Sequence, residues 1–81
     1  MRVEVLCFAA ARDAIGAARM EIEIEPGTTV GAALAALATR YPALEALLPS
    51  LRVAVDEEFA APGDRVPEGA TLALLPPVSG G

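Results

Sequence analysis

The sequence has no histidine, tryptophan, asparagine, glutamine or lysine, and one cysteine. Each absence removes a class of chemistry. Without histidine, and with Cys7 alone, the usual ligand set of a zinc site cannot be assembled. Ser–His and Cys–His nucleophile pairs are excluded for the same reason. Lacking lysine, the chain has no Schiff-base residue and no phosphate loop of the Gly-Lys-Ser/Thr kind. One cysteine makes no disulfide within a chain, and Cys7, set in an apolar run, reads as an inert core thiol. The six basic residues, all arginine, face eleven acidic ones, for a net charge of −5. That balance disfavours nucleic acid, which is bound by neutralising phosphates. No apolar run nears the ~18 residues of a membrane span, and the first residues alternate as a strand does rather than forming a signal peptide. The expectation is a cytoplasmic protein, without membrane or nucleic-acid partners, without a metal or bound cofactor, and without autonomous catalytic activity.

What remains is enough to fold. At 81 residues with 54% apolar composition, the chain is expected to form a single domain, residues 1–81, with a modest core. "RVEVLCF" alternates, with Val3, Val5 and Cys7 on one face, while its other face ends apolar at Leu6 and Phe8. "AAARDAIGAA" reads as a loop or a short helical turn. "ARMEIEIEPG" sets Met20, Ile22 and Ile24 against Arg19, Glu21, Glu23 and Glu25, and Pro26-Gly27 stops it. These two strands predict a hairpin. "TTVGAALAALATRYP" predicts a helix capped by Thr28 or Thr29, with Val30, Leu34, Leu37 and Tyr41 on its apolar stripe and Gly31 weakening its first turn. Pro42 ends it. A short helical turn at "ALEALLPS", a strand over "LRVAVDEEF", a turn-rich stretch and a last strand "TLALL" follow. A helix crossing one face of a sheet fed by a hairpin is an α+β arrangement.

Three large apolar residues are left when the inward positions are assigned: Phe8, Phe59 and Leu75. They read as an exposed partner-binding patch, with burial in the core as the alternative if the strand register differs by one. The chain then closes on "PPVSGG". Pro76 and Pro77 cannot donate to a sheet ladder and so lead the chain off the edge in extended form. This divides a globular body, 1–75, from a flexible tail, 76–81, that can reach at most ~20 Å. Gly80 and Gly81 lack a β-carbon and can enter a channel closed to other residues. Such a tail suits presentation of a terminal carboxylate to another protein's site.

The stretches "LLPPVSGG", "VLCFAAARD" and "TTVGAALAAL" together resemble the small subunits of molybdopterin synthase, over nearly the whole chain. The most specific of these is "PPVSGG"; where Asp56 stands, that family often has asparagine. The resemblance implies a ubiquitin-like β-grasp fold, with a mixed sheet and one main crossing helix. It implies a sulfur carrier for molybdenum cofactor biosynthesis. An E1-like adenylyltransferase would use ATP and Mg²⁺ to activate the Gly81 carboxyl, and a sulfur donor would convert it to a thiocarboxylate. Gly80-Gly81 would then enter the large synthase subunit and give sulfur to cyclic pyranopterin monophosphate, within a heterotetramer. It assigns docking to Phe8, Phe59 and Leu75, with Pro76, Pro77, Val78 and Ser79 lining the path. Three other readings stay open: a carrier for thiamin thiazole synthesis, a ubiquitin-like protein modifier, and a binding module with an inert tail.

Overall fold

Alternation at the amino terminus produces a strand buried on one side only. In the computed structural model, which describes residues 1–77, β1 (Arg2–Cys7) buries Val3, Val5 and Cys7. The expected loop or turn after it is a seven-residue helix, α1 (Ala9–Ile15), in which Ala11 and Ile15 share the buried face. Alanine is the best helix former, and this pair one turn apart gives the segment something to pack. Gly16 ends it at φ 84°, a left-handed cap that suits glycine. β2 (Arg19–Glu23) then returns antiparallel, with Val3 opposite Ile22 and Val5 opposite Met20.

α2 (Val30–Arg40) starts where Thr29 Oγ1 accepts a hydrogen bond from the Ala32 N–H at 3.1 Å. Two further first-turn donors are satisfied by a distant loop: Val30 N–H donates to the Asp64 carbonyl at 2.8 Å and Gly31 N–H to the Pro62 carbonyl at 2.9 Å. A β-carbon on Gly31 would sit 3.2 Å from the Pro62 oxygen. The residue expected to weaken the helix is therefore the one that lets this loop dock against it. The buried side of α2 is Val30, Ala33, Leu37 and Ala38, with Leu34 and Tyr41 half-buried. The stripe is turned from the expected one toward two alanines, whose small side chains allow close packing. A 3₁₀ segment, Pro42–Ser50, buries Leu44 completely.

The stretch "LRVAVDEEF" is two strands rather than one: β3 (Arg52–Val55) and β4 (Glu58–Phe59). Val55 pairs with Glu58, so Asp56 and Glu57 form a two-residue loop, at φ 48° and 74°. Positive φ at both positions is the primed hairpin turn, normally written Asn-Gly. Asp56 also clips this turn to the last strand, β5 (Thr71–Leu75): its Oδ1 accepts from Thr71 N–H at 2.9 Å and its own N–H donates to the Thr71 carbonyl at 3.0 Å.

The five strands lie in the order β2-β1-β5-β3-β4. β5 runs parallel to β1 and antiparallel to β3 at the centre of this mixed sheet. Val3, Val5, Cys7, Leu72, Leu74 and Val53 join Val30, Ala33, Leu37 and Leu44 in one core. Each buried Leu or Val side chain contributes about 1.5–3 kcal/mol of transfer free energy. This is the α+β, ubiquitin-like β-grasp arrangement, and among the described residues no helix covers the other face of the sheet.

Candidate docking face and carboxyl-terminal strand

Because side chains alternate along a strand, the pairing register fixes what the open face presents. One row crosses four strands: Leu6 on β1 is in register with Ala73 on β5, Ala73 with Ala54 on β3, and Ala54 with Phe59 on β4. Two alanines thus form a shallow floor between a leucine and a phenylalanine. Phe59 is 62% exposed, and the Arg52 guanidinium carbon lies 4.7 Å from its ring centroid. That stack holds the ring against the sheet without covering it.

The next row contains the end of β5. Leu75 is in register with Arg52, half-buried and on the open face, opposite in phase to the buried Leu72 and Leu74. On its other side Phe8, still extended at φ −125° and ψ 151° as the cap of α1, donates its N–H to the Leu74 carbonyl at 3.2 Å and is 45% exposed. The chain therefore leaves the sheet from its central strand, between Phe8 and the Arg52–Phe59 stack. Pro76 and Pro77 follow, exposed and outside any strand. Val78, Ser79, Gly80 and Gly81 lie outside the described residues.

Toward the opposite end the face turns acidic. Glu4, Leu6, Asp56, Glu57, Thr71 and Ala73 line a groove of about 480 Å³. Arg19 partly neutralises it, its Nε lying 3.2 Å from the Glu4 carboxylate. Such an exposed pair contributes well under about 1 kcal/mol to stability.

Among the described residues the hydroxyl-bearing side chain in this groove is Thr71, beside the Asp56 carboxylate, and the chain has no histidine or lysine to act as a base near neutral pH. Among the described residues no three His, Cys, Asp or Glu side chains are placed to hold a metal ion, and no helix is long and apolar enough to cross a membrane. Cys7 lies on the inner face, where burial pushes its thiol pKa up, away from the reactive thiolate. Phe8 and Phe59, legible in the sequence as surplus apolar residues, are exposed here, and Leu75 is half-buried beside them. Arg52, Ala54 and Ala73 are not legible in that way, because an arginine stack and small residues acquire meaning only once the register is known.

The model of the ThiS family matches residues 5–81. The molybdopterin synthase sulfur carrier subunit of Chlamydomonas reinhardtii is 30% identical, with the whole of both chains covered. Small archaeal modifier protein 1 of Haloferax volcanii is 37% identical, over 91% of this chain and 94% of its own. A crystal structure of that modifier has a TM-score of 0.87, at 34% identity and full coverage of both chains. One chain of a complex between subunits 1 and 2 of the molybdopterin-converting factor of Helicobacter pylori has a TM-score of 0.69 at 24% identity, again fully covered.

Proposed function

The chain belongs to the ThiS family, and from that membership we propose that it is the sulfur-carrying small subunit of a molybdopterin synthase. One observation supports this reading above the others. β5 ends at Leu75 between Phe8 and the Arg52–Phe59 stack, so a partner that grips this rim receives the following residues directly. The end-to-end similarity to relatives named as molybdopterin synthase sulfur carrier subunits supports it independently.

The chemistry follows from what a carboxylate lacks. As an anion with a poor leaving group, the Gly81 carboxylate resists attack. An E1-like partner using ATP and Mg²⁺ adenylates it. A donor's sulfur at the oxidation level of sulfide then attacks the acyl carbon and AMP leaves with the bonding electron pair, so that a thiocarboxylate remains that is anionic, soft and unhindered. Gly80 and Gly81, having no β-carbon, pass into the large subunit's site, where the sulfur is given to cyclic pyranopterin monophosphate. Acids and bases belong to that partner, consistent with a carrier that has no histidine or lysine. Pro76 and Pro77 keep the approach extended, Val78 and Ser79 line the passage, and two such carriers sit on a dimer of the large subunit.

A second reading, a ubiquitin-like protein modifier, is favoured by the 37% identity to the Haloferax volcanii protein. One reaction separates the two. Given activating enzyme, ATP, sulfur donor and large subunit, the full chain should support molybdopterin formation, and removal of Gly81 or addition of a residue after it should abolish this without changing the melting temperature. Product formed equally well by the truncated chain would defeat the proposal. Conjugates on lysines of other proteins, without molybdopterin, would support the modifier instead.

A further inference from the structure

An activated carboxyl terminus is an acylating agent, and the nearest amines in solution are those of other copies of the same chain. Resting on the reading above, in which Gly81 becomes activated, we infer that this protein is built as a non-acceptor. It passes its terminus to other molecules but neither acylates itself nor forms chains of itself.

The amine inventory carries the inference. There is no lysine among the 81 residues, and all six basic positions are arginine. Every one of those positions, Arg2, Arg12, Arg19, Arg40, Arg52 and Arg65, is exposed. They occupy the sites where lysines would be most available, yet a guanidinium stays protonated and does not attack a carbonyl. Ion pairs explain only part of this choice: Arg2 meets Glu23 at 3.2 Å and Arg19 meets Glu4 at 3.2 Å. Arg52 and Arg40 lie over the rings of Phe59 and Tyr41. For Arg12 and Arg65, no ion pair or ring stack is found among the described residues.

The one primary amine of the sequence, the α-amino group of Met1, is occupied. It donates to the Ile24 carbonyl at 2.6 Å, beside the β1–β2 ladder, and lies 3.6 Å from the Glu23 carboxylate. Half-buried and held by this hydrogen bond, the nitrogen is not free to approach an incoming electrophile unless this end of the sheet opens. Several weaker nucleophiles are held as well: the Cys7 thiol is in the core, and the hydroxyls of Thr28, Thr39 and Ser50 donate to the carbonyls of Glu25, Ala35 and Leu47.

The reaction avoided is an acyl substitution. An amine nitrogen attacks the Gly81 carbonyl carbon and a C–N bond forms. The bond to AMP or to a thiol sulfur breaks, the leaving group keeps the electron pair, and the nitrogen gives up a proton to solvent.

The test uses the chain carrying a chemically made thioester on Gly81, so it does not depend on any activating enzyme. The thioester is kept concentrated at mildly alkaline pH, with a small lysine amide as a control acceptor, and followed by intact mass. The expected result is hydrolysed chain and adduct with the control amine, without chain dimers, whereas Arg12→Lys and Arg65→Lys give dimers joined at the new lysine. Acetylation of Met1 by an N-hydroxysuccinimidyl ester should be at least about tenfold slower in the folded chain than in denaturing urea, the protection expected of a charged hydrogen bond. Dimers joined through Met1, equal acetylation rates, or lysine variants as inert as the parent would each overturn the inference. The carrier reading stands or falls separately, on whether an E1-like enzyme and ATP activate Gly81 at all.

Discussion

Glu57→Gly should stabilise the protein, and the turn geometry sets by how much. Glu57 is at φ 74°, in a two-residue loop whose first residue, Asp56, is at φ 48°. A residue with a β-carbon costs about 1–2 kcal/mol in the left-handed region. Glycine removes that cost but gives the unfolded chain more freedom, returning about 0.4–1 kcal/mol. The exposed Glu57 side chain makes no hydrogen bond or ion pair among the described residues, so the substitution loses no such contact. The net gain lies between about 0 and 1.6 kcal/mol with a midpoint of about 0.8 kcal/mol, or roughly 3–6 °C in melting temperature at that midpoint for a domain of this size. Glu57→Gln, which removes only the charge beside Asp56 and Glu58, should give a few tenths of a kcal/mol at most. Thermal unfolding of the three proteins decides it. A glycine variant no more stable than the glutamine variant would refute the claim that backbone strain is stored in this turn.

The other expectations concern the patch and the thiol. Phe59→Asp should weaken binding to a large synthase subunit by tenfold or more, on the order of 1.4 kcal/mol, while costing the isolated chain only about 1 kcal/mol through the lost Arg52 stack; global unfolding of this variant would mean that the ring is a structural cover for Ala54. Burial raises the Cys7 pKa above the ordinary thiol value, which the unfolded chain is expected to show. The folded state keeps a proton that the unfolded state releases, so the contribution is complete below that ordinary value and is lost as pH rises beyond it. The urea midpoint should therefore fall more between pH 7 and pH 10 in the parent than in Cys7→Ala, and equal falls would contradict the burial argument.

The order of elements was readable because each carried its own period: alternation in "RVEVLCF" and "MEIEIE", and helical spacing after Thr29. What was missed depends on pairing rather than on local pattern. The β3–β4 hairpin reads as one strand in the sequence because its turn is Asp-Glu, with no glycine to mark it. α1 was underestimated because a run of alanines has no amphipathic contrast, and its burial is visible only once Ala11 and Ile15 meet the core. In the sequence Gly31 reads as a flaw in α2, whereas in the fold its missing β-carbon admits the Pro62 carbonyl. The face itself was half legible. Leu6 and Phe8 broke the polar alternation of β1 and announced an uncovered surface, but which residues share a row with Phe59 is set by the register of β5 against β3, which no single stretch encodes.

The carboxyl of Gly81 is the one group that the carrier chemistry alters, and the change can be read from the mass of the chain without reference to any partner's structure. After incubation with an E1-like adenylyltransferase, ATP, Mg²⁺ and a sulfur donor, the intact chain should gain the difference between one sulfur and one oxygen, and fragmentation should place that gain on Gly81. A chain of unchanged mass in a mixture that thiocarboxylates another carrier, or a sulfur found on Cys7 instead, would contradict it.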